Sequence, residues 1–180
     1  MKKTLIIALC CFAVAFASCK KKPIDPPPVD PTPSEDVNYA PNYVGDYNGS
    51  YAFDITSMNN QPQTLSFLMD NIVMNIVEGS ESNTITATVT VDNETRQTTG
   101  TTTQEKINFD FVHLTIDKPD QGYKFALDLK MEGTKAEGNT MNITGNFTGD
   151  GEFFFGGVNN VLEEVSGTLS GELVKQQPNQ

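Results

Sequence analysis

One imidazole, three thiols and a few closely spaced carboxylates are all that this 180-residue chain offers to chemistry. His113 is the single His, and a general base needs an orienting partner and a nucleophile within hydrogen-bond reach. It lies in phase with Phe109 and Phe111, or on the opposite face if a bulge intervenes, so a strand residue at a rim or surface accounts for it without catalysis. No G-x-S-x-G, Gly-rich phosphate loop or H-E-x-x-H occurs. Asp92-Asn-Glu94 and Asp150-Gly-Glu152 sit in turn-like stretches; calcium uses such oxygens, but the D-x-D-x-D-G spacing is missing. Glu163-Glu164 reads as a solvated pair. The expectation is a chain with no catalytic residue, no metal site and no cofactor, and no enzyme.

The aromatic residues are the better lead. Phe153-Phe154-Phe155, followed by Gly156-Gly157, cannot all point inward from one strand. At least one must face outward or lie across a rim, as a binding edge, a membrane contact or a cap on one end of the fold. Phe53, Phe109, Phe125 and Phe147 are candidates for the interior, where they either fill the space or line a cavity. Those four and the Phe153–Phe155 run form the candidate ligand-binding set.

Charge narrows the partners. The chain carries 12 Lys+Arg against 23 Asp+Glu, and residues 43–180 alone hold 7 against 19, a net −12. Such a surface lacks the basic face that phosphate backbones require, so no nucleic acid is expected. A cationic protein partner suits it better than an anionic one.

The first 18 residues read as an address. Lys2 and Lys3 precede the apolar run Leu5 to Phe16, which is too short to span a bilayer and fits a signal peptide. Phe16-Ala17-Ser18-Cys19 resembles the lipobox of bacterial lipoproteins, although Phe16 stands where Leu or Val is usual. The resemblance implies cleavage before Cys19 and acylation of its sulfur and new amine. The alternative is an ordinary secretory signal cut at an A-x-A-like site. Cys10 and Cys11 would leave with the peptide, so no disulfide or thiolate chemistry remains in the folded part. Three acyl chains, at roughly 0.8 kcal/mol per buried methylene, would anchor the chain permanently. The stretch from Lys20 to Asp36 contains six prolines and is expected to be a semi-rigid polyproline stalk, part of a tether over residues 19–42. Lys20, Lys21 and Lys22 lie where anionic headgroups would attract them.

From about Tyr43 the hydrophobic pattern has period two. Tyr47, Tyr51, Phe53 and Ile55 share a face, as do Ile85, Ala87, Val89 and Val91. Tyr123, Phe125, Leu127, Leu129 and Met131 form a third such set, Met141, Ile143 and Phe147 a fourth, and Val165, Leu169 and Leu173 a fifth. Alternation of this kind marks strands with one dry face and one wet face. The expected fold over residues 43–180 is an all-β antiparallel meander of about eight to ten strands, closed as a barrel, with a β-sandwich as the alternative. A single helical turn over residues 159–165 is the one departure considered.

Two segments change phase. Leu65, Phe67, Met69 gives way to Ile72, Met74, Ile76, and Ile107, Phe109, Phe111 gives way to Val112, Leu114, Ile116. A bulge explains each, or for the first a tight turn near Asp70-Asn71. Gly-x-bulky-x-Gly recurs at Gly45–Gly49, Gly145–Gly149 and Gly167–Gly171, spacing that suits a strongly coiled sheet. Two of the three lie near the two ends of the domain, and closure of a barrel would pair them.

The opening Tyr43-Val-Gly-Asp-Tyr-Asn-Gly, the Thr-rich meander and the closing Gly167-Thr-Leu-Ser-Gly-Glu-Leu, behind a lipobox and a Pro-rich tether, resemble the calycin-like lipoproteins of Bacteroidetes. The likeness covers residues 43–175. It implies a meander barrel of the lipocalin type around a small apolar ligand, held at the cell envelope by acylated Cys19, at the outer membrane on its periplasmic or surface side. The Gly-x-Trp signature of true lipocalins is missing, since the chain has no Trp. The competing expectation is an interaction or inhibitor module that uses loops or the acidic face and holds no ligand.

Overall fold

The structure, a computed structural model, describes residues 37–91, 94–155 and 158–177. Cys19, the signal-like segment and the tether lie outside them. The compact unit that contains the described residues runs from Glu35 to Gln180.

The alternating segments fold as nine antiparallel strands in one sheet. These are β1 (Gly45–Met58), β2 (Gln61–Glu78), β3 (Thr84–Val91), β4 (Glu94–Thr102), β5 (Lys106–Phe109), β6 (Val112–Lys118), β7 (Tyr123–Lys135), β8 (Thr140–Phe155) and β9 (Val158–Lys175). The sheet order is β5-β4-β3-β2-β1-β9-β8-β7-β6, and an extra β5–β7 pairing closes a barrel-like ring of eight strands. Ring closure brings the first and last strands together, with Tyr51 opposite Gly171 and Phe53 opposite Leu169.

Period two decides which side chains go inside. In β3 every second residue, from Ile85 to Val91, is buried, and the intervening threonines are half-buried. Phe125 and Leu127 are both buried, because residues two apart share a face; the neighbour that parts from them is Ala126. Each fully buried Phe, Leu or Ile contributes roughly 1.5–3 kcal/mol through its apolar surface.

The first change of phase is a bulge and the second a break between two strands. Gly49 pairs with Ile72 and Tyr51 with Met69, so Asp70 and Asn71 together face Ser50. Asn71 adopts φ +59°, which an Asn tolerates better than most residues. Between β5 and β6 the chain breaks at Asp110-Phe111. Phe109 and Val112 both point in, while Phe111 is exposed rather than sharing the face of Phe109.

Two local expectations differ from the outcome. Residues 159–165 form no helical turn, and residues 149–151 do not break a strand; β8 and β9 run through both. Gly149 pairs with Val165 and Gly151 with Leu162, so Glu163 and Glu164 face Asp150 alone. The sequence signal of a turn there is a bulge. It is pinned by Asn59 Oδ1, which accepts hydrogen bonds from the amides of Glu163 (2.8 Å) and Glu164 (3.2 Å). Asn59 and Asn60 both have positive φ and form the two-residue β1–β2 hairpin loop, where the type I′ geometry suits Asn.

Candidate functional site

The two ends of the ring differ. At the end where the described chain begins, a short 3-10 turn (Ala40–Asn42) lies over the interior with Ala40 fully buried. The Tyr43 hydroxyl donates to Thr103 O (3.1 Å) and the Tyr47 hydroxyl to Tyr43 O (2.8 Å). Asn83 ties this segment down, accepting from Tyr39 N at 2.7 Å and donating its own amide to Asn38 Oδ1 at 2.9 Å. The Lys135 ammonium sits 4.8 Å above the Tyr43 ring. Burial pushes both phenols above their ordinary pKa, with the Glu105 charge adding to the effect at Tyr43.

The opposite end is open at the side. β2 pairs with β3 only through Val73–Glu78, and β4 meets β5 only through Gly100–Thr102. Among the described residues, β6 pairs with β7 alone, and the Gln61–Ile72 half of β2 pairs with β1 alone. Among the described residues no ladder therefore joins β2 to β6 above the short β3–β4 hairpin, and this gap in the hydrogen bonding is the slot. Glu94 narrows its lower part. Its Oε2 accepts from Thr115 N at 2.8 Å, so a side chain from β4 replaces a missing rung to β6. Arg96 pairs with the same carboxylate.

Aromatic rings fill the space behind the slot. Phe53 and Phe67, opposite each other on β1 and β2, stack at 5.0 Å. Phe67 crosses the interior to stack on Phe125 of β7 at 5.7 Å and tilts against Tyr123 at 5.2 Å. Phe147 leans on Phe53 at 5.6 Å. Phe67, Leu65, Met58 and Phe153 are only partly buried and pack on this core from the open end. Glycines make room for the rings on the facing strands: a Cβ on Gly171 would lie 2.5 Å from Tyr51 Cδ1, and one on Gly167 2.6 Å from Phe147 Cζ. Of the interior hydroxyls, those of Tyr51 and Thr102 have no hydrogen-bond partner among the described residues. Burial raises the Tyr51 pKa strongly.

The aromatic residues singled out from the sequence separate into three groups. Phe53, Phe109, Phe125 and Phe147 lie inside. Phe153 lies at the open end, packed on the core, and Phe154 faces outward. Phe155 ends β8, and its side chain is outside the described atoms. Phe67 and Tyr123, which hold the stack together, lie outside the candidate set drawn from the sequence. Their positions in the inward phase of β2 and β7 were the available signal. His113 is on the outer surface with Nδ1 2.9 Å from Asp128 Oδ1. Among the described residues, no group of three or more His, Cys, Asp or Glu could hold a metal ion. The stack offers apolar ring surface, whose interactions are dispersion and desolvation.

No protein-family model matches the chain, and comparison with curated proteins gives no match either.

Proposed function

We propose that this chain is a lipid-anchored, extracytoplasmic binding protein of the calycin-like kind, which takes a small apolar ligand through the slot between β2 and β6. One observation carries the reading. Half-buried Leu65, Phe67, Met58 and Phe153 gather at the open end over an aromatic interior, while the end where the described chain begins is covered by the 3-10 turn and its tyrosines. Phe67 is the gate in this proposal. It is less buried than Phe53 or Phe125, and swinging it out of the stack would free space for a ligand between β1 and β7. The acylated Cys19 and proline tether of the proposal hold the domain at the outer membrane.

Native mass spectrometry of protein purified from its own host tests the binding role. The expected result is a retained apolar molecule, released when Phe67 is replaced by Trp to block the gate. Protein that is empty and takes up no apolar fluorescent probe overturns it. The same experiment addresses a second reading, an interaction or inhibitor module with no internal ligand. The stack Phe53–Phe67–Phe125 favours that alternative, because it already fills the interior. An empty barrel with a co-purifying protein is its expected signature.

A further inference from the structure

On the outer surface, away from the slot, the bulge in β9 leaves a groove across β7, β8 and β9 with a volume of about 440 Å³. Ala126 gives it a low floor. Asp150, Glu152 and Glu163 line it together with Val161. Val161 is 64 % exposed, and Phe154 (53 %), two positions beyond Glu152 on the same outward face of β8, continues the apolar surface toward the hairpin tip. Large apolar side chains are outward here, where a meander strand normally turns polar residues to water.

The charges are unbalanced. Lys124 is the groove's single cation, and its ammonium is directed to Asp117 on β6, 3.6 Å away. Among the described residues the Glu152 carboxylate accepts only from the Asn159 amide, at 3.2 Å. Asp150 and Glu163 have no cationic partner among the described residues. The rest of the domain deepens the negative field, since residues 43–180 carry a net −12. Three carboxylates beside an exposed apolar wall complement a segment that pairs a cation with an apolar side chain.

We infer that this groove docks a short cationic segment of a partner protein, with a Lys or Arg between Asp150 and Glu163 and a neighbouring apolar side chain on Val161. The negative potential steers such a partner and repels acidic ones. An anionic lipid surface is disfavoured by the same charges. The inference does not depend on a ligand entering the slot, because none of the groove residues belongs to the stack.

The test uses the full chain and a fluorescein-labelled peptide of alternating Val and Lys, followed by fluorescence polarisation and by hydrogen exchange over residues 124–126 and 150–163. Saturable binding with protection confined to those residues is expected. Glu152→Gln combined with Glu163→Gln should weaken it at least tenfold, and Val161→Ser severalfold. Lys124→Ala should strengthen it. A control that removes equal charge elsewhere, Asp46→Asn with Glu172→Gln, should change affinity less than twofold. Four outcomes overturn the proposal: no saturable binding, equal loss in the control, equal affinity for an alternating Val and Glu peptide, or the same protection produced by calcium chloride alone.

Discussion

Phe53 and Phe67 lie ring on ring across the β1–β2 ladder, 5.0 Å apart with planes 2° from parallel. Stacking of this kind adds about 0.5–1.5 kcal/mol beyond the buried area. Because Phe67 also touches Phe125 and Tyr123, it joins two walls of the ring that share no ladder. Phe67→Ala should lower unfolding free energy by about 2–4 kcal/mol, less than a fully buried Phe in the same series. It should also increase uptake of an apolar fluorescent probe. Urea denaturation and probe titration check the two effects, and a variant as stable as wild type would remove Phe67 from its bridging role.

Tyr51 is fully buried, and its hydroxyl has no partner among the described residues. An unsatisfied buried polar group costs about 1–3 kcal/mol. Tyr51→Phe should therefore leave stability unchanged or raise it by about 1 kcal/mol. The pH dependence follows from the raised pKa of Tyr51, caused by burial. In the unfolded chain the phenol loses its proton near pH 10, while the folded state keeps it to higher pH. Above that point the folded state binds more protons than the unfolded state, so stability falls as pH rises. Wild type should lose stability above about pH 10, and Tyr51→Phe should lose it less steeply. Thermal melts from pH 8 to 11 measure the difference.

Asn59 does two jobs in the β1–β2 loop. It takes φ +48°, and its Oδ1 receives two β9 amides. Asn59→Gly keeps the backbone conformation and loses the side-chain acceptor, for about 1–2 kcal/mol; Asn59→Ala loses both and should fall further. Chemical denaturation of the pair separates backbone from side-chain effects.

Gly171 lies directly beneath the Tyr51 ring. Gly171→Ala inserts a methyl group where Tyr51 Cδ1 stands 2.5 Å from the new Cβ, and overpacking of this kind costs about 1–3 kcal/mol. Combining it with Tyr51→Leu should recover only part of that loss, because the ring is one obstacle and the Ser50 carbonyl oxygen, 2.4 Å from the new Cβ, is another that stays in place. A double-mutant cycle by denaturation reads the coupling.

Glu94 fills a missing rung between β4 and β6. Glu94→Ala should leave the Thr115 amide without its acceptor and speed its hydrogen exchange by tenfold or more. Exchange at Leu127, buried in the middle of β7, should stay near the wild-type rate. Residue-resolved exchange measures both.

Much of this fold was written in residue order. Alternation from Tyr47 to Leu173 fixed which side chains are dry, since successive residues on an extended chain point to opposite faces. The phase change at Asp70-Asn71 marked a real bulge, because one extra residue must flip the face that follows, and that at Asp110-Phe111 marked the break between β5 and β6. Gly motifs near both ends of the domain anticipated the contact between β1 and β9, although the motifs themselves are offset: Gly49 pairs with Leu173, and Gly171 with Tyr51. Phe153–Phe155 announced that one aromatic would face outward, and Phe154 does.

Tertiary structure decided the rest. Whether Asp150–Glu164 bends as a turn, a helical turn or a bulge depends on Asn59, about a hundred residues earlier in the chain, and no local pattern reports that hydrogen bond. The slot exists because β3, β4 and β5 are all shorter than β2 and β7, which flank them in the ring, a comparison that only pairing registers can make. Phe67 meets Phe125 and Tyr123 for the same reason: side chains on separate strands touch according to how the sheet curls, and period two specifies a face without specifying what stands across from it.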